Sequence, residues 1–577
     1  MSSCAYYAVK VFLRQVTGNY FRNIHVSGLE HVPLNGPTIL CCNHSNQFMD
    51  AMLLIAQCPR PLSFCFAASS FNKPIVGYLA KKINVIPVYR AEDYKVQGKG
   101  KIIMKSDTEV QGINTKFISE ILNNKNFKLG IHSLLVQKKY KLYVEEIIDE
   151  EHLKVRSDPK IFEELKKVGQ QNFFYMPKLD NSVMFHEACK KLQEGKAVCI
   201  FPEGTSHDRT HLLQLKPGVA YIALEAMANY GVKGIKILSC GLTYYHRDKF
   251  RSDVVLKFGV IYELNDNMTS LFFENKKLAT EKLLNMVKTQ MKANILITPT
   301  YQEFLLIKMI KNLSIPKGVQ LDFDASTNLE KRIQTIYDSV RDEPKTKDIT
   351  NKVLKYMEPL EKLGLEDKDL QQINLNYNLL VKKFIITLLK FIILLIFAVP
   401  MFLFVLPLIS FVKYKAEKER NKSIEKNPNK IQGKDVVSSV KVVNFVIYFP
   451  LVGIFAVNFY YFLLNYFLFK YTYRQYSWFY FCTVGTFSFM FYGFLTINFF
   501  DSLKYNYEIL KTILLCFLIP KGIHYLRKLR PTLVEEVNAF LDEGIKNTNF
   551  EKKRIINSVL KNIDEDDNQN IINEAGI

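Results

Sequence analysis

The sequence predicts a layered α/β domain followed by an α-helical transmembrane region, on three observations. Between residues 23 and 259, short β-rich runs alternate with helical stretches, as in domains that layer helices on a sheet. The long apolar runs crowd between residues 384 and 500, although the overall hydrophobic content of 48% is ordinary. The length of 577 residues exceeds what one ordinary core organises.

The chain opens on a helical pattern. Val9, Phe12, Leu13 and Val16 recur at helical spacing with Lys10 and Arg14 opposite, which fits a helix lying in a membrane surface or one covering the domain's own core. The apolar stretch 5–13 is too short, and too interrupted by Lys10, for a cleavable signal peptide. Strands are expected over 38–42, 83–89, 197–201, 235–242 and 254–258, each ending in polar or charged residues. Ligand-binding groups of such sheets sit just past the strand ends. Residues 91–171 break the alternation as a Lys-rich, glycine-punctuated insertion, in which 139–146 and 152–156 read as a β-hairpin around Asp149. Charged helical pattern with prolines at 299, 316 and 344 fills 275–378.

Residues 442–469 and 478–500 are each long enough to cross a bilayer. The stretch 384–411, broken by Lys390, Pro400 and Pro407, fits a tilted span or a segment that returns on the same side. The loop 413–441 carries nine Lys or Arg and the connection 470–477 carries two, which places the first loop in the cytosol. If the α/β domain is cytosolic too, 384–411 must turn back; a lumenal domain is the alternative.

The net charge of +21 calls for a polyanionic partner. No nucleic-acid-binding signature accompanies it, so phosphorylated substrates and an anionic bilayer face are the expected partners. Ten cysteines without a C-x-x-C pair argue against disulfides or zinc and for reduced, cytosol-facing thiols.

Four constellations carry chemistry. The first is Cys41-Cys42-Asn43-His44-Ser45-Asn46-Gln47-Phe48-Met49-Asp50, after a strand and before a helical run. An Asp facing a His across such a turn fixes the imidazole tautomer and leaves the other nitrogen to take a proton. This dyad has no nucleophile of its own, so a substrate hydroxyl must serve. Alone, H-x5-D more often caps a turn. The second is Phe201-Pro202-Glu203-Gly204-Thr205-Ser206-His207-Asp208-Arg209-Thr210, followed by Leu215-Lys216-Pro217-Gly218. Gly204 lets backbone approach a substrate, and Glu203 can accept hydrogen bonds from substrate hydroxyls. The third is a strand ending in Pro87-Val88-Tyr89-Arg90, and the fourth is Ile237-Leu238-Ser239-Cys240-Gly241-Leu242-Thr243-Tyr244-Tyr245-His246-Arg247-Asp248-Lys249-Phe250-Arg251-Ser252, whose tail is a cationic patch suited to substrate or to a membrane surface.

In this order the four blocks resemble the glycerolipid acyltransferase superfamily, whose motifs are N-H followed by Asp, a strand-end Arg, F-P-E-G-T-R-S and a later V-P or I-P. The usual gap between His and Asp is four residues; here it is five. The form H-x-N-Q-F-x-D, and Ser206-His207-Asp208-Arg209 after E-G-T, resemble the fungal glycerol-3-phosphate and dihydroxyacetone-phosphate acyltransferase branch. Ser239 stands where the fourth motif usually has Pro.

The resemblance implies an acyltransferase domain with a mixed central sheet over 23–274, behind a membrane-proximal helix 1–22. A helical extension 275–378, a transmembrane region 379–530 and a charged tail 531–577 would follow. It implies catalysis by His44 and Asp50, and substrate binding by Arg90, Glu203, Gly204, Thr205 and Arg209. Arg90 and Arg209 would hold phosphate, for which the guanidinium fork is suited. Acyl-CoA is then a co-substrate and glycerol 3-phosphate or dihydroxyacetone phosphate the acceptor. No cofactor or metal is called for, and the expected location is a multi-pass endoplasmic reticulum protein with a cytosolic catalytic domain. Rival readings are an acyltransferase for a monoacylated acceptor such as lysophosphatidic acid, a non-catalytic membrane scaffold, and a metal hydrolase using His44, Asp50 and His207, which lacks a compact ligand set.

Overall fold

A computed structural model describes residues 3–547 apart from 69–70, 72–76, 79–81, 84, 90, 123–130, 138–139, 179–180, 297, 299, 317–318, 320, 322, 373–376, 427–429 and 469–477. The chain forms two compact units, Met1–Ile295 with Val412–Asn444, and Leu296–Phe411 with Phe445–Ile577.

The first unit opens on helix α1 (Ser3–Tyr20), which packs along α2 (Gln47–Gln57). Tyr6, Val9, Leu13 and Tyr20 are buried on one face, while Val11 and Phe12 are exposed on the other. Its strands are β1 (Ile24–Ser27), β2 (Thr38–Cys42), β3 (Leu62–Ala67), β4 (Ile86–Val88), β5 (Val96–Gln97), β6 (Lys101–Met104), β7 (Glu109–Ile113), β8 (Ile131–Val136), β9 (Tyr140–Ile147), β10 (His152–Arg156), β11 (Phe173–Pro177), β12 (Ala197–Ile200), β13 (Lys236–Tyr244) and β14 (Val254–Glu263).

The main sheet has the order β1-β14-β13-β2-β12-β3-β4. It is mixed: β13, β2, β12, β3 and β4 run parallel, while β14 is antiparallel to β13 and parallel to β1. Buried on both faces, the central strands read as continuous apolar runs, Thr-Ile-Leu-Cys-Cys in β2 and Ala-Val-Cys-Ile in β12. Helices Ser182–Gln193, Gly218–Tyr230 and Lys276–Asn294 contribute Leu192, Ala223, Val287 and Met291 to the core. The first unit therefore runs to Ile295, past the domain end expected at 274, because Lys276–Asn294 buries its apolar face on the sheet.

The insertion is larger than the expected hairpin. Strands β9 and β10 do pair antiparallel, within a second, wholly antiparallel sheet of order β5-β11-β8-β9-β10-β7-β6. Its last strand carries the inserted sheet to Pro177, beyond the expected limit at 171. Phe117, Phe173, Tyr175 and Leu134 pack in a core of its own.

The second unit is helical. Tyr301–Ser314, Phe323–Ser339, Pro344–Leu363 and Pro520–Asn547 enclose Leu306, Ile310, Ile336, Tyr356 and Val537. Asp367 is clamped there by Arg530 at 2.8 and 2.9 Å and by the Tyr356 hydroxyl at 2.6 Å. The break or return allowed for 384–411 is absent: Tyr377–Lys426 is one helix of 50 residues running through both prolines. Among the described residues, one helix, over Lys434–Leu463, is long and apolar enough to cross a membrane. A second candidate is the pair Phe499–Leu518 and Pro520–Gly544, bent by 104°.

Candidate active site

The sheet topology assembles the site. Strand β2 lies between β12 and β13 and parallel to both, with Cys41 opposite Ile200 and Cys42 opposite Cys240. The segments leaving these strands therefore emerge at one edge: Asn43 onward after β2, Phe201 onward after β12, and Tyr245 onward after β13. The Asn43 side chain ties two of them together, accepting from the Leu242 N–H at 2.7 Å and donating to the Leu242 carbonyl at 2.9 Å. Strand β4 ends at the same edge; Arg90, two residues further, lies outside the described residues.

His44 and Asp50 meet despite the extra residue. The His44 Nδ1 lies 2.9 Å from Asp50 Oδ2. A carboxylate only accepts, so Nδ1 carries the hydrogen and Nε2 is left as the base. Two features absorb the longer turn. Gln47 takes φ +40°, a left-handed conformation, as the chain enters α2, and the Asn46 N–H donates to Asp50 Oδ2 at 2.8 Å, closing the turn on the carboxylate. Asp50 is fully buried, and Tyr244 donates to its other oxygen at 2.5 Å. Burial and the Asp50 charge push the Tyr244 hydroxyl well above its ordinary pKa, so it stays a donor. The His44 ring stacks on Phe201, with centroids 4.3 Å apart, and keeps 18% of its side chain exposed.

The φ at position 47 leads to a prediction. Gln47→Gly should keep the dyad and its activity, whereas Gln47→Val, whose branched side chain disfavours this conformation, should cost about 1–2 kcal/mol of stability. Thermal unfolding and turnover assays of the two variants check it.

Glu203 has a different task from the one the sequence suggested. It is 2% exposed, and its carboxylate accepts from the His44 N–H at 2.7 Å, the Leu213 N–H at 2.8 Å and His207 Nε2 at 2.5 Å. The Arg209 N–H donates to His207 Nδ1, which fixes His207 as the Nε2–H tautomer. Burial alone would raise the Glu203 pKa; these donors outweigh it and hold the carboxyl below its ordinary value. Glu203 thus faces the protein, where it props the backbone of His44, and its donors leave it little capacity for a substrate hydroxyl.

Gly204 takes φ +71°, and a Cβ there would meet the Lys216 side chain at 2.6 Å. Thr205 and Arg209 lie in the same loop, both partly buried. Within the patch Arg247 to Arg251, the two arginines are turned inward. Arg247 donates to the carbonyls of His207 and Arg209 at 3.1 and 3.0 Å, and Arg251 to those of Gly18, Asn19 and Phe21. Sequence reasoning missed the roles of Tyr244 and Arg247; only the density of cations after β13 signalled that segment. Burial pushes the Cys41 thiol up to about 12 and the Cys42 thiol well above its ordinary value, so neither is suited to be a nucleophile. Among the described residues, no cluster of His, Cys, Asp and Glu is fit to hold a metal.

Residues 23–132 and 162–243 match the family described as Acyltransferase, and residues 306–544 the family described as Glycerol-3-phosphate acyltransferase 2 C-terminal domain. The unmatched gap, 133–161, falls inside the inserted sheet. An uncharacterized acyltransferase of Schizosaccharomyces pombe is 28% identical over 63% of this chain and 55% of its own length. Glycerol-3-phosphate O-acyltransferases 1 and 2 of Saccharomyces cerevisiae are 26% and 27% identical, over 90% and 77% of this chain and 68% and 64% of theirs. The chain therefore spans between about half and two thirds of the length of these relatives. The crystal structure of the 1-acyl-sn-glycerophosphate acyltransferase PlsC from Thermotoga maritima overlaps 50% of this chain and 80% of that one at 13% identity, with a TM-score of 0.27, too loose an overlap to bear on the fold. With a match to the Acyltransferase family followed by a match to the C-terminal domain of glycerol-3-phosphate acyltransferase 2, the chain is similar to glycerolipid acyltransferases, as its motifs indicated.

Proposed function

We propose that this protein is a membrane-bound sn-1 acyltransferase that moves a fatty acyl group from acyl-CoA to glycerol 3-phosphate, dihydroxyacetone phosphate, or both. The observation that carries the reading is the His44 to Asp50 contact at 2.9 Å, which points Nε2 of a partly exposed imidazole away from its orienting carboxylate. The acceptor hydroxyl gives its proton to His44 Nε2 as its oxygen attacks the thioester carbonyl. The tetrahedral adduct then expels the coenzyme A thiolate, which takes the proton back from His44. Backbone N–H groups near Gly204 stabilise the oxyanion, a contribution of about 3–4 kcal/mol per donor where measured elsewhere. Arg90 and Arg209 hold the phosphate, and Thr205 borders the substrate.

The apolar parts of helices Tyr377–Lys426, Val437–Leu468 and Trp478–Leu518 form the membrane region. Residues 412–444 belong to the unit that contains His44, and they include the whole nine-cation loop 413–441. That sharing supports a cytosolic catalytic domain on an endoplasmic reticulum membrane, an arrangement in which the unbroken helix Tyr377–Lys426 lies along the bilayer and does not cross it. The deciding experiment supplies washed membranes with labelled acyl-CoA and a panel of glycerol 3-phosphate, dihydroxyacetone phosphate and lysophosphatidic acid. Turnover of the three-carbon acceptors is expected; turnover of lysophosphatidic acid alone would replace the reading with its nearest rival.

A further inference from the structure

The segment Lys430–Lys441, remote in sequence from every motif, is bonded to three of the four constellations. Asp208 accepts at one oxygen from the Ile431 N–H at 2.8 Å, and at the other from the N–H groups of Gln432 and Lys434 at 2.6 and 3.3 Å. Three backbone donors converging on one carboxylate outweigh the burial that would raise its pKa, and the Asp208 carboxyl is held below its ordinary value. Ser206, where the related motif has Arg, donates to Asp435 Oδ2 at 2.6 Å. The buried Asp435 also pairs with Lys430 at 2.7 Å. In the first turn of helix Val437–Leu468, Ser438 donates to the Arg247 carbonyl, and Lys441 reaches the Asp248 carbonyl at 2.7 Å. The buried Ser439 hydroxyl accepts from the Met49 N–H and donates to the Asn46 carbonyl, both at 3.2 Å. Asn46 and Met49 flank the left-handed Gln47, so this hydroxyl grips the turn that holds His44 against Asp50.

We propose that Lys430–Lys441 is a built-in strap of the catalytic site, with Asp208 as its anchor and Ser439 as a positioning residue for the His44 turn. The proposal rests on the transferase reading for its kinetic consequence, though not for its structural one. It gives a structural purpose to Asp208 and to Ser206, which stands where the related motif has Arg. It also links the dyad to the first turn of the helix over Lys434–Leu463, the segment with the composition of a membrane span.

The test uses the full chain in phospholipid nanodiscs. Asp208→Ala and Ser439→Ala should each lower kcat about tenfold or more, with KM for glycerol 3-phosphate within about twofold, because a displaced base slows chemistry without removing a phosphate ligand. Ser439→Thr, which keeps the hydroxyl, should restore kcat. Amide exchange over residues 43–50 should quicken about tenfold in the alanine variants, a readout independent of turnover. Unchanged exchange in Ser439→Ala would overturn the strap even if activity fell. A raised KM with unchanged kcat in Asp208→Ala would make that residue a substrate ligand instead. Should Asp208→Ala fail to fold, the Ser439 pair decides. A wild-type protein without turnover would sink the transferase reading and leave the exchange result to judge the strap.

Discussion

His44→Ala should lower kcat for acyl transfer by about 10²–10⁴-fold, the range general-base catalysis contributes. KM for the acceptor should change little, since the ring is assigned to a proton and not to the phosphate. Asp50→Asn should retain the turn, because the Asn amide still offers one oxygen to the His44 Nδ1–H. It removes the negative charge that stabilises the imidazolium, and kcat should fall about 10²-fold or more. Tyr244→Phe removes one donor from Asp50 Oδ1 and should have the smallest effect of the three. Steady-state kinetics on purified, membrane-reconstituted variants measures all of these, and His44→Ala activity near wild type would end the proposed mechanism.

Glu203→Gln should destabilise the acyltransferase unit by about 2–4 kcal/mol and lower activity with it, since a buried charge-assisted hub loses its charge and gains misplaced donors. The Glu203 carboxylate accepts from three N–H groups. An amide turns its NH₂ toward at least one of them, so two donors face each other in a buried site. The pH dependence has a definite sign. The folded pKa of Glu203 is depressed, so the stabilisation is fully present above the unfolded carboxyl value of about 4.3 and is lost as pH falls below it. Asp208, also depressed, adds to the same acid limb. Thermal unfolding between pH 7 and pH 3.5 should show a steep fall at the acid end for wild type and a shallower one for Glu203→Gln.

Much of the site was legible because its chemistry is local. A His and an Asp around one turn, and Pro-Glu-Gly-Thr after a strand, announce themselves within ten residues. What was not legible depends on partners far apart in the chain. Glu203 looked available for substrate because its donors include the backbone of His44, 159 residues earlier. Arg247 and Arg251 looked like a surface patch because the carbonyls they serve lie in other segments. The strap sits more than 220 residues beyond Asp208. In the fold, the expected strands of the main sheet form, although β4 covers only part of 83–89. Strand β1 was missed because its four half-buried residues, Ile-His-Val-Ser, give no clean alternation. The inserted sheet was reduced to a hairpin although β6 and β7 alternate buried with less buried residues as β10 does. The two-residue β5 is too short to register.

The main polypeptide passes between its two units at 295, 411 and 444, so the unit containing the dyad is discontinuous along the chain. Cutting after Ile295 therefore would not liberate a self-sufficient catalyst. It would strip the partners from Ser206, Asp208 and Asn46 and leave their polar groups facing solvent around a loosened turn. C-terminal truncation that removes residues 412–444 should therefore lower turnover even where every motif residue survives.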